Sequence, residues 1–199
     1  MSDKRTQILQ AALVVFAEHT VAATPVPVIA REAGVAAGTL YRYWPSKEAL
    51  ANAVYQEAKG TFTSYLTRGV PAPTTAEDVA EAYSSMWANL VAFAHDHPDA
   101  LAFLEHQQHA SYLDATSEAM AEEAEAPAVE LIRSGQRLGV LRAADPQLLI
   151  TMIFGAFVGL TKAARARGGL PPAAWQQASR AIWAMLALAE TVHQDKETR

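Results

Sequence analysis

Between Thr24 and Lys47 lie two helix-forming runs, each too short to be stable alone, joined by a turn of three residues that contains Gly34. Thr24-Pro25 opens the first run as an N-cap followed by proline at the first helical position. Gly34 is placed to end it in the left-handed conformation. The second run extends from about Ala36 to Tyr43 and stops at Trp44-Pro45, because the residue before a proline avoids helical angles. Helices of one or two turns persist only when packing holds them. Here Val28, Ile29, Ala33, Val35 and Leu40 are spaced to face Leu13 and Phe16 of the preceding helix. This is the spacing of a helix-turn-helix, which crosses its two helices at a steep angle.

The rest of the chain reads the same way. Alanine fills 42 of 199 positions, and it is the strongest helix former. No stretch alternates apolar and polar residues with β-branched enrichment, so the expected fold class is all-α, with about nine helices. The first covers 4–19. After the helix-turn-helix, Ser46 caps a long helix over about 47–67. Thr75 with Asp78 forms a capping box for a helix to about Asp96. His97-Pro98 starts another to about His109, and Ser111 with Asp114 one that runs to about Leu138. Pro127 lies inside this last helix, which predicts a kink or split. Asp145-Pro146 caps an apolar helix to about Arg167, and Pro172 opens a final one to about His193. The expected domains are 1–46, a three-helix head, and 47–199, a helical body.

The chain has no cysteine, which excludes disulfides, thiolate metal sites and cysteine nucleophiles. No serine-centred elbow and no glycine-rich phosphate loop is present, so no enzyme is expected. Residues 1–10 lack an apolar signal core. The longest near-apolar run, Leu148–Leu160, is short of the ~18–20 residues that span a bilayer. It is expected to be a helix buried within protein, and the chain to be cytoplasmic with no membrane partner. The formal net charge of −5 conceals a division. Residues 1–47 hold five basic and three acidic side chains, a net +2, and residues 48–199 carry −7. A basic head on an acidic body is compatible with a nucleic-acid partner.

The second short helix presents Thr39, Tyr41, Arg42 and Tyr43 outward. Hydroxyl, aromatic and guanidinium groups suit phosphate oxygens and base edges. Lys47 begins the next helix, where its ammonium and the open N–H groups can meet a phosphate. The run Ile29-Ala30-x-x-Ala33-Gly34-Val35-x-x-Gly38-Thr39-Leu40-Tyr41-x-Tyr43-Trp44-x-x-Lys47, with Phe16-Ala17-Glu18 upstream, resembles the DNA-binding signature of the TetR family of bacterial repressors. The motif covers about residues 8–50; the remainder resembles the family in length and helical organisation. The resemblance implies that helices one to three bind a double-stranded DNA operator, and that helices four to nine bind a small-molecule effector and dimerise. By position, Thr39, Tyr41, Tyr43 and Lys47 would contact phosphates, and Ala37, Gly38 and Arg42 would lie at the groove floor. Four positions depart from the pattern: Thr20 where glycine is usual, Pro27 at a polar position, Ala36 at a capping position, and Tyr43 in place of histidine.

Other groupings are less specific. His95, His97, His106 and His109, with Glu105, raise a metal reading, but no His-Glu-x-x-His pattern occurs and His97 precedes proline. No metal or cofactor is expected. Aromatic and methionine residues are dense between Tyr55 and Phe157; at helical spacing most are core. The resemblance implies that Trp87, Phe103, His106, Tyr112, Met120 and Phe157 supply the lining of an effector cavity suited to a largely apolar molecule. Six acids over 114–130 read as a solvated face, with a cationic ligand as the less favoured alternative. Thr151, Gly155, Gly159 and Ala163, and Ala174, Ala178, Ala181 and Met185, form narrow small-residue stripes on the eighth and ninth helices. Pairing these two helices across a two-fold axis would bury them in a homodimer. The expected function is a ligand-responsive regulator, a repressor released from a near-palindromic operator by its effector. The alternative is a small-molecule-binding or catalytic helical protein whose helix-turn-helix is vestigial.

Overall fold

The structure, a computed structural model, describes residues 3–105 and 109–188. Among these, nine α-helices and one 3-10 turn form the fold, with no β-strand beyond an isolated bridge. The helices are α1 (Lys4–Glu18), α2 (Val26–Glu32), α3 (Ala37–Tyr41), α4 (Lys47–Thr67), α5 (Ala76–Asp96), α6 (Pro98–Leu104), α7 (Ala115–Arg137), α8 (Pro146–Ala166) and α9 (Pro172–Leu186); His109–Ser111 makes the 3-10 turn. Most boundaries follow the expected signals. Ser46 Oγ accepts from the Ala49 N–H at 3.1 Å. Asp145 Oδ1 accepts from the Gln147 and Leu148 N–H groups. Asp78 closes the capping box, accepting from the Thr74 and Thr75 N–H groups and the Thr74 hydroxyl. These bonds hold its carboxyl down at about 2. A lowered acid pKa adds stability above the usual carboxylate range, and that stability is lost as pH falls toward the lowered value.

Two helices differ from expectation. The sixth ends at Leu104 rather than near His109. The seventh is continuous through Pro127 instead of splitting. Proline removes one backbone hydrogen bond, and twenty-two helical neighbours offset that single loss. The end expected for α9 near His193 lies outside the described residues.

The chain divides into two compact units that do not follow a break at residue 46. One comprises residues 1–69 and 86–127, the other 70–85 and 128–199. The boundaries fall inside α5 and α7, and α1–α3 are grouped with α4 and α6. In the first unit α1 packs on α2, α4 and α6, and α4 also meets α6. Its buried side chains include Ile8, Phe16, Ile29, Leu40, Leu50, Phe93, Leu101 and Phe103. Phe16 of α1 stacks on Phe103 of α6 with ring centroids 6.0 Å apart. The short helices of the head thus owe their stability to a core shared with longer ones.

In the second unit, the segment after α7 pairs with the segment after α9. Leu141 bridges Ala187, with the Arg142 N–H on the Leu186 carbonyl and the Leu188 N–H on the Val140 carbonyl. Gly135 of α7 is closed over by this arrangement. A Cβ there would lie 2.6 Å from Leu141 Cγ and 3.0 Å from Val79 Cγ1. Leu141 is buried and held by the bridge, so it has little room to yield. Gly135→Ala should therefore cost about 1–3 kcal/mol from overpacking, outweighing the helix propensity it gains. The check is thermal unfolding, with a midpoint lowered by about 2–4 °C per kcal/mol for a chain of this size.

The apolar helix α8 is covered by its own chain on one face only. Within this chain it is not buried: its most apolar window has a mean hydropathy of 1.5 and is only 22% buried. Leu149, Phe157 and Thr161 face inward. Leu148 (56% exposed) and Met152 (44%) lie on the open side with Thr151, Gly155, Ala156 and Gly159. One chain covers only one face of this helix. By length and composition alone it could also cross a membrane.

Candidate nucleic-acid interface

The turn between α2 and α3 forms as its residues dictate. Gly34 adopts φ +63°, a conformation that costs other residues a Cβ clash. The Gly34 N–H bonds the Arg31 carbonyl and the Val35 N–H the Ala30 carbonyl. Ala36 caps α3 with extended backbone and no side-chain bond. Leu40 and Trp44 are buried and anchor α3 from beneath. Tyr41 (54%), Tyr43 (42%), Arg42 and Gly38 are exposed above them, and Ala37 and Thr39 are partly exposed. A Cβ added at Gly38 would meet nothing within 4 Å, so this surface is open to a close approach. The Arg5 guanidinium sits 5.5 Å from the Trp44 ring centroid, tying the start of α1 to the end of this segment.

The turn between α1 and α2 explains how Thr20 replaces a glycine. Among the described residues no non-glycine has positive φ. The turn uses hydroxyls instead: Thr20 Oγ1 accepts from the Ala23 N–H at 3.3 Å, and Thr24 Oγ1 donates to the Thr20 carbonyl at 2.9 Å. Lys47 completes it. Its ammonium donates to the Ala22 and Thr24 carbonyls, each at 3.1 Å. Two of its three N–H donors are thereby used within the chain, a role absent from the sequence reading. Pro27 is exposed in the first turn of α2.

Behind this surface, α4 meets the 3-10 turn and the start of α7 through a buried polar cluster. Asn52 Nδ2 donates to the Glu48 carbonyl at 2.9 Å and the Tyr112 carbonyl at 2.8 Å. Its Oδ1 accepts from the Asp114 N–H at 2.9 Å and the Ser117 hydroxyl at 2.7 Å. Gln56 Nε2 donates to the same hydroxyl. Asp114 in turn accepts from the Ser117 N–H, which lowers its carboxyl pKa.

The residues expected to line a cavity are placed as follows. Phe103 is buried against Phe16 and meets His109 edge-on at 4.9 Å. His109 Nε2 lies 2.7 Å from the Phe103 carbonyl, so it donates there and leaves Nδ1 to accept the Tyr112 hydroxyl. Phe103, Tyr112 and His109, with Phe16 and Val21, border a small cleft of about 20 Å³, room for one water. Met120 is partly buried beside α4, and Trp87 is buried in α5. Phe157 belongs to the second unit, fully buried against Trp175 and Phe154. His106 lies outside the described residues. Sequence reasoning missed Asn52, whose signal was an amide among Ala51, Tyr55 and Ala58 on an apolar face. Among the described residues no group of three or more His, Asp or Glu could hold a metal. His109 uses both ring nitrogens within the protein, and His97 Nε2 bonds Tyr65. The six acids over 114–130 are all exposed, as a solvated face requires.

Comparison with known proteins decides the assignment. Residues 8–54 match the bacterial regulatory proteins of the tetR family, and residues 55–169 match the Tetracyclin repressor-like C-terminal domain. The chain belongs to the TetR family. It is 32% identical over 93 residues to the fatty acid metabolism regulator protein of Bacillus subtilis (strain 168), a match covering 47% of this chain and 48% of that protein. It thus spans about half the length of that relative. Among solved structures, a TetR-family regulator from Vibrio parahaemolyticus aligns with a TM-score of 0.71 at 29% identity, covering 94% of this chain and all of the other. A tetR-family regulator from Shewanella sp. PV-4 aligns at 0.75 and 26%, with the same coverage. This TetR-family chain carries the N-terminal helix-turn-helix of a bacterial transcriptional regulator.

Proposed function

We propose that the protein represses transcription by binding a near-palindromic operator as a dimer, and that a small, largely apolar effector releases it. The observation that carries this is the face of α3, where Tyr41, Arg42 and Tyr43 stand exposed over a buried Leu40 and Trp44. In this reading Thr39, Tyr41, Tyr43 and the remaining N–H of Lys47 hold phosphates, while Ala37, Gly38 and Arg42 face the groove floor. Residues 1–46 are then the reading head, and 47–199 the effector and dimer region. The exposed apolar face of α8 supports pairing through α8, joined by α9. On α9 the expected stripe is partly covered: Ala174, Ala178 and Met185 are partly buried and Ala181 is open. The Bacillus subtilis relative is named for fatty acid metabolism, which supports an effector with an apolar body.

Two recognition helices on a two-fold dimer must lie about 34–36 Å apart, one turn of DNA, to bind both half-sites. An effector acts only through differential affinity for the subunit geometries that keep or break this spacing. The α4 helix connects the two functions. Its first residue clamps the turn before α2, and its second turn is bonded to Tyr112 and Ser117.

The test is selection of sheared genomic DNA on the purified protein, with its mass in solution measured by sedimentation. The expected result is a dimer that enriches sequences with two-fold symmetry and half-sites one helical turn apart. A monomer, or enrichment of DNA without such symmetry, would contradict the proposal.

A further inference from the structure

We propose that Lys59 and Tyr55 form the head-group site for an effector that presents a single carboxylate on an apolar body; this rests on reading the region from α4 onward as the effector domain. The two residues lie four apart on α4 and therefore share one helix face. Tyr55 is buried, yet its hydroxyl makes no hydrogen bond among the described residues. Lys59 is partly buried, and its ammonium makes neither a hydrogen bond nor a salt bridge among them. The ammonium lies 5.5 Å from the centroid of the Phe62 ring. Neither polar atom is sealed off, because no fully buried side-chain nitrogen or oxygen lacks a partner among the described residues. Both therefore keep some contact with solvent.

The chemistry of the site follows from its donors. An ammonium offers three N–H groups and a phenol one O–H, and these donors make no hydrogen bond among the described residues, with the Glu125 carboxylate the charge that acts on both. Burial lowers the Lys59 pKa and outweighs the opposing pull of Glu125. Burial also raises the Tyr55 pKa, with Glu125 adding to the rise, so the phenol stays protonated and donates. Glu125 is exposed on α7 and acts from the solvent side. A ligand acceptor with one negative charge satisfies both donors and compensates the desolvated cation. The surroundings are apolar: Phe62 lies beneath Lys59, and Met120 reaches to 3.8 Å from a Cβ placed on Gly60. These are groups against which a hydrocarbon body packs favourably.

The test uses the full chain, calorimetry near neutral pH, and three probes of equal length: octanoate, 1-octanol and octylamine. Octanoate is expected to bind about ten-fold or more tightly than 1-octanol, the usual worth of a charge-assisted hydrogen bond. Lys59→Met should erase that preference while leaving 1-octanol binding intact, which also shows that the variant is folded. Lys59→Arg should restore most of it, and Tyr55→Phe should reduce it a few-fold. Three results would overturn the proposal: no octanoate binding to the native protein, a preference for octanoate that survives Lys59→Met, or tighter binding of octylamine, which would assign the site to Glu125. Release of operator DNA by octanoate reads the regulatory role separately. A Lys59-dependent octanoate site without DNA release would refute regulation by this ligand and leave the site standing.

Discussion

Asn52→Leu lowers the stability of this protein by about 3 kcal/mol or more, the cost of stranding several buried polar groups at once. The amide of Asn52 is saturated, with both N–H groups donated and its oxygen accepting twice. Leucine keeps nearly the same volume, so little packing is lost. What is lost is the partner of the Tyr112 carbonyl and the Asp114 N–H, and one acceptor for Ser117, whose side chain is fully buried. The midpoint of thermal unfolding should fall by about 6–12 °C, taking 2–4 °C per kcal/mol for a chain of this size. Gln56→Ala removes only one donor to Ser117 and should cost about 1 kcal/mol. Circular dichroism melts of the two variants check the order. Equal, small effects would mean that solvent satisfies the cluster when Asn52 is gone.

Arg42→Ala lowers operator affinity about ten- to one-hundred-fold, corresponding to the 1–3 kcal/mol of a guanidinium contact. The residue stands at the end of α3, exposed, and its side chain makes no hydrogen bond or ion pair among the described residues. If Arg42 reads a base edge, the loss is specific to the operator and the variant becomes less selective. If it meets a phosphate, affinity falls evenly over all sequences and the salt dependence weakens by about one unit of slope. Tyr41→Phe isolates the hydroxyl of a neighbouring contact and should cost about 0.5–1.5 kcal/mol. Fluorescence anisotropy on operator and scrambled duplexes separates these outcomes. Unchanged affinity in both variants would remove α3 from the interface.

The head was legible because its signals are local. Gly34 and Trp44-Pro45 act within a few residues and appear as a left-handed turn and a stop, whereas at Thr24-Pro25 the helix starts one residue later than expected, with Pro25 as N-cap and the Thr24 hydroxyl bonded to the Thr20 carbonyl. The turn at Thr20 was legible as a departure but not as a solution, because the solution uses hydroxyl bonds rather than an unusual φ. Lys47 was readable as a cation at a helix start, whereas its carbonyl partners lie more than twenty residues back. Asn52 was legible only as an amide on an apolar face, since its acceptors and donors on the Tyr112–Ser117 segment are about sixty residues away. The apolar stretch of α8 was legible as a helix, but the sequence did not show that its own chain covers only one face. Composition records how apolar a helix is, and the partner that would cover it need not come from the same chain. Pro127 predicted a kink or split, and α7 runs through it without a split because one lost hydrogen bond is small against a long helix.

The most direct measurement is the affinity for DNA from upstream of the protein's own gene, followed as salt is raised from about 50 to 200 mM. With Lys47 meeting a phosphate in each subunit of a dimer and Arg42 at the groove floor, log affinity should fall against log salt with a slope of about −2, roughly 0.9 for each neutralised phosphate. Absence of binding at the lowest salt, or a slope near zero, would contradict a DNA-binding regulator and leave a helical small-molecule-binding protein with a vestigial helix-turn-helix.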